Sequence, residues 1–125
     1  MRAGLVTLKT RADFLRVAAT RLRAVTPGLI VQAAPGPAGA ATVRVGFTAT
    51  KKLGGAVIRN RARRRLRAVA AEVLAQRGTP GTDYVLIARS GTAGRPYAAL
   101  VADLATALRR LDRVDRVATA KKERK

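Results

Sequence analysis

The hydrophobic pattern changes its period along the chain, and three segments of it predict strands. Residues 42–48 alternate between apolar and other side chains with period two, which is typical of a half-buried strand. Residues 29–33 form a short, mostly apolar segment that ends at a loop rich in proline and glycine. Residues 84–88 are continuously apolar, as expected of a strand buried on both faces. Together these segments predict a sheet.

Three other segments repeat their apolar residues at helical spacing. A capping box beginning at Thr10 precedes a predicted helix over residues 11–23. A second helix is predicted over residues 56–76, ended by Gly78, and a third starts at Pro96. The apolar stripe predicted for the second helix comprises Ile58, Ala62, Leu66, Val69 and Val73.

The order helix, strand, strand, helix, strand, helix predicts one α+β domain over residues 1–118. Residues 119–125 are predicted to form a basic, disordered tail. A sheet covered by helices on one face would leave its other face available for binding.

Charge changes this picture from a fold to a function. The chain carries 26 Lys and Arg against 7 Asp and Glu, a net charge of +19, which predicts a polyanionic partner. Six of the nine residues from 59 to 67 are arginines, and their forked donors suit phosphate. A membrane-surface helix is the main alternative, but the apolar stripe lacks the large aromatic side chains typical of such helices. We therefore predict a nucleic-acid-binding helix and no membrane partner.

Residues suited to catalysis are scarce. The chain has no cysteine and no histidine, so thiolate and imidazole metal sites and the commonest general base are excluded. The seven acids are scattered in sequence, although carboxylates distant in sequence can still meet in space, which leaves a metal site as an alternative. No apolar run has the length of a signal peptide or a membrane span, so we expect a cytoplasmic protein. An organellar transit peptide is the alternative reading of the arginine-containing N-terminus.

The motifs around the basic helix resemble those of the protein-subunit family of bacterial ribonuclease P. The resemblance is carried by VGFT at 45–48, KKLG at 51–54, AVIRNR at 56–61 and RRRLR at 63–67. It extends in the same order and spacing from Leu8 to Tyr97, and so covers most of the chain. A lone Arg-Asn-Arg would be weak support, but the full set is specific.

This resemblance implies a fold, a function and partners. The implied fold is an α/β sandwich with a mostly antiparallel central sheet, helices packed on it and a left-handed βαβ crossover, as in the second domain of ribosomal protein S5. The implied function is to bind a catalytic RNA and the 5′ leader of precursor tRNA, with no obligatory protein partner. The RNA would hold the active site and its Mg²⁺, so the chain would contribute no catalytic residue and bind no metal itself.

The resemblance also implies two sets of binding residues. Contacts with the catalytic RNA are expected from Lys52, Arg59, Asn60, Arg61, Arg63, Arg64 and Arg67. Contacts with the leader are expected in a cleft beside the first helix from Phe14, Gln32, Thr48 and Lys51.

The chain departs from the family pattern at three positions. Ala18 and Gln32 stand where the family usually has aromatic residues, and Gly55 stands where it has asparagine. Phe14 is therefore the one expected stacking group in the cleft, and leader binding should depend more on charge. A plain core position is the alternative for Phe14. For the whole chain, the alternative function is a structural RNA-binding protein such as a ribosomal protein.

Overall fold

The computed structural model describes the backbone of residues 5–37 and 41–123, and the side chains within those ranges up to Arg113. Within these described ranges, five strands, three α-helices and one short 3₁₀ helix follow one another. In order they are β1 (Val6–Thr7), α1 (Arg11–Ala19), β2 (Arg23–Val25), β3 (Leu29–Pro35), β4 (Arg44–Thr48), the 3₁₀ helix (Lys51–Leu53), α2 (Ala56–Arg77), β5 (Thr82–Ala88) and α3 (Tyr97–Glu123).

The strands form one mixed sheet in the order β1-β4-β5-β3-β2. β4 pairs in parallel with both β1 and β5, whereas β3 pairs antiparallel with β5 and β2. The longest ladder is the antiparallel pairing of β3 with β5, which includes all of Leu29–Pro35. α2 joins the parallel neighbours β4 and β5, so the α+β class and a βαβ unit are confirmed.

One face of this sheet, which we call the closed face, carries the main core. Alternate residues of the strands, such as Val31, Val45 and Leu86, pack there against α2 and α3. Leu66 of α2 and Leu104 of α3 are fully buried in this cluster. Burial of such side chains stabilises the fold by about 1.5 to 3 kcal/mol each.

The opposite face, which we call the open face, is covered only by α1 among the described helices. Val17 of α1 packs there against Ala34 and Val85 in a separate small cluster. The expectation that all helices share one face is therefore wrong. α1 covers only part of its face because it is nine residues long.

The helix α1 begins as predicted and ends earlier. Thr10 is its N-cap, and its Oγ1 accepts a hydrogen bond from the backbone N–H of Asp13 at 3.2 Å. The helix stops at Ala19 rather than at residue 23, because Arg21 adopts a positive φ of 59° and the chain reverses there. Residues 23–25 then form β2, which the sequence pattern assigned to the helix.

The ends of other elements also differ from the prediction. β3 continues two residues further, to Pro35, and β5 begins at Thr82, because the two strands pair along their full lengths. β1 has only two residues, too few for any period to show in the sequence. α3 continues to Glu123 and so includes most of the predicted tail, whose alanine and lysine residues favour helix.

Candidate nucleic-acid interface

The open face presents a half-buried surface beside α1. Strand register places Gly46, Val85 and Gln32 in one row across β4, β5 and β3. The next row toward the C-terminal end of β4 contains Thr48, Ile87 and Ile30. Four of these side chains are partly exposed: Thr48, Ile87, Ile30 and Gln32. The surface therefore combines apolar side chains with polar groups that remain in contact with solvent.

Phe14 lies on this surface and rests on a glycine. A Cβ atom added to Gly46 would come within 2.5 Å of the Phe14 Cζ atom, so the ring lies directly against the strand backbone. Phe14 is partly buried and packs against the small cluster that contains Val17 and Val85. It is therefore both a packing residue and an accessible aromatic surface. A glycine inside a strand often marks such a close approach, and this signal at Gly46 could have been read from the sequence.

The short connection after β4 links the open face to the basic helix. Lys51 and Lys52 lie exposed in the 3₁₀ helix, which begins three residues after Thr48 and precedes α2. Gly54 ends that turn with a φ of 137°, a backbone conformation that residues other than glycine rarely adopt. The connection thus places two ammonium groups between the open face and the arginines of α2.

The outer surface of α2 carries the exposed basic residues. Asn60, Arg61, Arg64 and Arg67 are all exposed along its first three turns. The guanidinium of Arg67 lies 5.8 Å from the centre of the Phe47 ring, within the range of a cation–π contact. Arg63 is more enclosed: its Nη1 donates to Asn60 Oδ1 at 3.3 Å and its Nη2 to the Ala49 carbonyl at 3.4 Å.

The first turn of α2 differs from the predicted apolar stripe. Ile58 is 45% exposed, whereas Arg59 is partly buried and lies seven residues before the buried Leu66. Because seven residues make about two helical turns, Arg59 shares the inward side with Leu66. The Nε of Arg59 is buried without a hydrogen-bond partner among the described residues. The assignment of Ile58 to the core is wrong, and Arg59 fills that side instead.

Arg65 stands apart from the predicted binding set. Its Nη2 donates to the carbonyl of Arg95, near the end of the loop that precedes α3. Nearby, the hydroxyl of Tyr97 donates to Glu72 Oε2 at 3.0 Å, and burial together with Glu72 raises the pKa of Tyr97. Tyr97 is 42% exposed, so it is not a core residue. Arg65 therefore helps to hold α2 against the segment that leads into α3.

Two carboxylates at the other end of the open face meet through arginines. Asp83 is buried, and Arg44 binds it in a bidentate arrangement, with Nε to Oδ1 at 2.8 Å and Nη2 to Oδ2 at 2.6 Å. Arg16 of α1 also donates to Asp83 and lies 3.3 Å from Asp13, which receives Arg44 as well at 3.5 Å. The pairs Arg16–Asp83 and Arg44–Asp13 attach α1 to the sheet, and no sequence spacing indicated them.

This ion cluster sets the charge state of both acids. Burial raises the pKa of Asp83, but the hydrogen bonds from Arg44 and Arg16 outweigh burial, so its pKa is lower than usual. The hydrogen bond from the Thr10 hydroxyl, followed by the two arginines, lowers the pKa of Asp13. Both groups are therefore ionised at neutral pH and already neutralised by guanidinium groups, which makes them poor ligands for a cation.

The described residues contain no group of three or more acidic, histidine or cysteine side chains that could hold a metal ion. Within the same part of the chain, no helix is long and apolar enough to cross a membrane.

The residues singled out from the sequence fall on two adjoining surfaces. Phe14, Gln32 and Thr48 lie on the open face, and Lys51 lies at its margin. The second set, on and just before α2, comprises Lys52, Arg59, Asn60, Arg61, Arg63, Arg64 and Arg67. Sequence reasoning missed Ile30 and Ile87, which line the open face. The RNA contacts expected of both residue sets stay predictions.

An arginine-covered helix beside a half-open sheet face defines an α+β protein built to bind nucleic acid. The model of the Ribonuclease P family matches residues 4–112. A ribonuclease P protein component from Paramagnetospirillum magneticum is 53% identical over 114 residues, which are 89% of this chain and 86% of that protein. One from Ruegeria pomeroyi is 51% identical, covering 87% of this chain and 88% of that protein. The chain belongs to the ribonuclease P protein family, as its motifs predicted.

Solved structures show the same fold. The RNase P protein from Thermotoga maritima matches with a TM-score of 0.71 at 22% identity, covering 83% of this chain and 96% of that one. The RNase P protein from Staphylococcus aureus matches with a TM-score of 0.69 at 24% identity, covering 82% and 92%. The arrangement of sheet and helices is therefore that of known RNase P proteins.

Proposed function

We propose that this chain acts as the protein subunit of ribonuclease P, the ribonucleoprotein endonuclease of tRNA processing. Family membership over residues 4–112 supports this role. In this proposal the partners are the catalytic RNA and precursor tRNA, and the chain works in the cytoplasm without an obligatory protein partner. Removal of the 5′ leader is the reaction that the assembled particle performs.

The observation that carries the proposal is the meeting of two different surfaces at one connection. The outer side of α2 is densely cationic, and guanidinium groups there can pair with the phosphates of a folded RNA. The open face offers an aromatic ring, an amide and a hydroxyl at Phe14, Gln32 and Thr48, which suits a single strand with unstacked bases. We assign the first surface to the catalytic RNA and the second to the leader.

The chemistry of cleavage belongs to the RNA in this proposal. The acids that come together, Asp13 and Asp83, are held by Arg16 and Arg44, so their donor set fits a structural ion cluster rather than a metal site. Mg²⁺ would be coordinated by the RNA, and the protein would supply binding and charge neutralisation. The purified chain should therefore not cleave precursor tRNA alone.

Reconstitution tests this division of labour. The chain and its matching RNA together should remove the leader at modest Mg²⁺ concentration, whereas the chain without RNA should not. Site-specific cleavage by nuclease-free protein would contradict the proposal. RNA that copurifies with the chain provides a further check, because ribosomal RNA in place of one short species would indicate a structural ribosomal role.

A variant of α2 tests the RNA-binding surface. Replacing Arg59, Asn60 and Arg61 by alanine should weaken assembly, and saturating protein should restore most of the cleavage rate. If the native protein neutralises about six phosphates, the log-log salt slope should be roughly −4 to −5, and the variant should reduce its magnitude by about 2. The double variant R77A/R109A removes the same charge from other exposed positions and should leave assembly nearly unchanged. An equal loss in both variants would mean that only total charge matters.

A further inference from the structure

We propose that Arg23, Arg110 and Arg113 form a second phosphate-binding site, which holds the part of an RNA leader that has crossed the open face. The site lies at the β2 edge of the sheet, and β1 forms the opposite edge. The inference rests on the proposed function and extends it, because it assigns a path and an end point to the bound strand.

The three arginines surround an open depression of about 480 Å³ between β2 and α3. Arg23 comes from the strand, whereas Arg110 and Arg113 lie three residues apart on the helix and so share one side of it. The remaining lining residues are Ala24 and Val25. A depression with this lining favours a compact anion such as a backbone phosphate.

Arg110 is anchored in place by the free edge of β2. Its Nη1 donates to the Val25 carbonyl at 2.8 Å. The backbone N–H of Thr26 donates to the Leu29 carbonyl at 3.0 Å, so by the alternation of an antiparallel ladder the Val25 carbonyl points away from β3. This hydrogen bond uses one of the guanidinium donors and leaves the others available.

The charges of this site are not neutralised by described carboxylates. Among the side chains that the structure describes, no acid lies within 4.0 Å of the basic groups of Arg23, Arg110 or Arg113. Arg44, by contrast, has two carboxylates, and Arg95 binds Asp103 at 2.6 Å. Guanidinium groups that converge without acids are stabilised by a bound anion.

The open face leads directly to this site. Ala24 is buried with the closed-face core, so the alternation of side chains along β2 places Arg23 and Val25 on the open face. Arg23 is the register partner of Gln32, and Val25 is the partner of Ile30.

One row of register partners therefore crosses the sheet from Thr48 through Ile87 and Ile30 to Val25. Three interstrand spacings make this crossing about 14 Å. At about 3.4 Å per nucleotide, a stacked strand needs about four nucleotides to cover it. A leader that enters beside Lys51 and follows this row would reach the arginines at the far edge.

Leader length provides the test. Precursor tRNAs are prepared with leaders that range from too short to cross the open face to long enough to pass β2, and their affinities for the reconstituted particle are measured. The test variant is R23Q/R113Q, which preserves the hydrogen bond of Arg110 to Val25. The control R77Q/R109Q removes the same charge from exposed positions away from the depression. Melting curves establish that both variants are folded.

We expect R23Q/R113Q to bind long-leader precursors about 3- to 10-fold more weakly than the native protein, as for the loss of two exposed ionic contacts. Binding of short-leader precursors and assembly with the catalytic RNA should be unchanged, as should every property of the control. An equal loss at all leader lengths, or no loss at any, would overturn the inference while leaving the proposed function intact. A native particle that binds leader-bearing and mature tRNA equally would instead contradict the proposed function.

Discussion

The closed and open faces are built by the same strands, yet one is sealed and the other is left half exposed. On the closed face, Leu29, Val31 and Leu86 are fully buried. On the open face, their neighbours Ile30, Gln32 and Ile87 keep part of their surface in solvent. The comparison shows that stability and binding are assigned to opposite sides of one sheet, and that the binding side depends on incomplete cover.

The cause of the difference is the length of the covering helices. α2 has 22 residues and α3 has 27, whereas α1 has nine. At 1.5 Å per residue these lengths are about 33, 40 and 14 Å. The short helix α1 is attached at one end by Arg16 to Asp83 and Pro35. The rest of the open face therefore stays accessible.

The largest expected effect comes from a cavity under the closed face. Leu66→Ala removes a side chain that is 0% exposed, and it should lower the free energy of unfolding by about 2 to 5 kcal/mol. Leu15→Ala on α1 is the matched control, because Leu15 is 56% exposed and its loss should cost at most about 0.5 kcal/mol. Denaturant unfolding measures both. Similar losses would contradict the assignment of the stabilising core to the closed face.

The next effect concerns the ion cluster that attaches α1. Asp83→Asn leaves Arg16 and Arg44 without their buried carboxylate and should cost about 2 to 3 kcal/mol, less than a fully buried pair because the arginines can reach solvent. Asp112→Asn, at an exposed acid, is the control and should have little effect.

The pH dependence of this effect has a definite sign. Asp13 and Asp83 have lowered pKa values in the folded protein, so their stabilisation is present above the unfolded value near 4 and is lost as pH falls through the folded values. The native protein and Asp83→Asn should therefore converge in stability at strongly acidic pH. A constant difference down to that range would show that the cluster does not titrate as described.

A smaller effect, on binding rather than on stability, is expected from the open face. Phe14→Ala should weaken binding of precursor tRNA by about 1 to 3 kcal/mol, the contribution of one stacked base, and leave binding of mature tRNA unchanged. The two tRNA forms are compared at a temperature where the variant is folded. An equal loss for both would return Phe14 to a purely packing role.

The smallest expected effect comes from a change in β4, directly beneath the Phe14 ring. Gly46→Ala places a methyl group in the space of the Phe14 ring and should displace it, giving part of the binding loss of Phe14→Ala. Gly94→Ala is the control, since an added Cβ there meets nothing within 4 Å. Leader affinity measures the difference. A Gly46→Ala protein with native affinity would show that the position of the ring on β4 is unimportant.

Much of the molecule could be predicted from the sequence where the signal is local. The alternation in β4 and the helical spacing of α2 and α3 are each set by neighbours within a few residues, so these elements were identified correctly. The density of arginine between residues 59 and 67 likewise indicated a polyanion partner. The motif around Asn60 placed the chain in its family, and the comparisons agree.

The tertiary structure alone decided the features that depend on distant pairing. The strand β2 forms because residues 23–25 find a partner in β3, and its three residues carry too short a pattern to outweigh the helix before them. Asp13 and Asp83 are 70 positions apart in the chain and are joined only when α1 docks on the sheet. Arg59 points inward in place of Ile58 because the first turn of α2 precedes the part of the helix that packs on the apolar core. Secondary-structure propensity and local charge depend on neighbouring residues, so the sequence determines them. Which helix covers each face of the sheet depends on tertiary packing, so only the structure decides it.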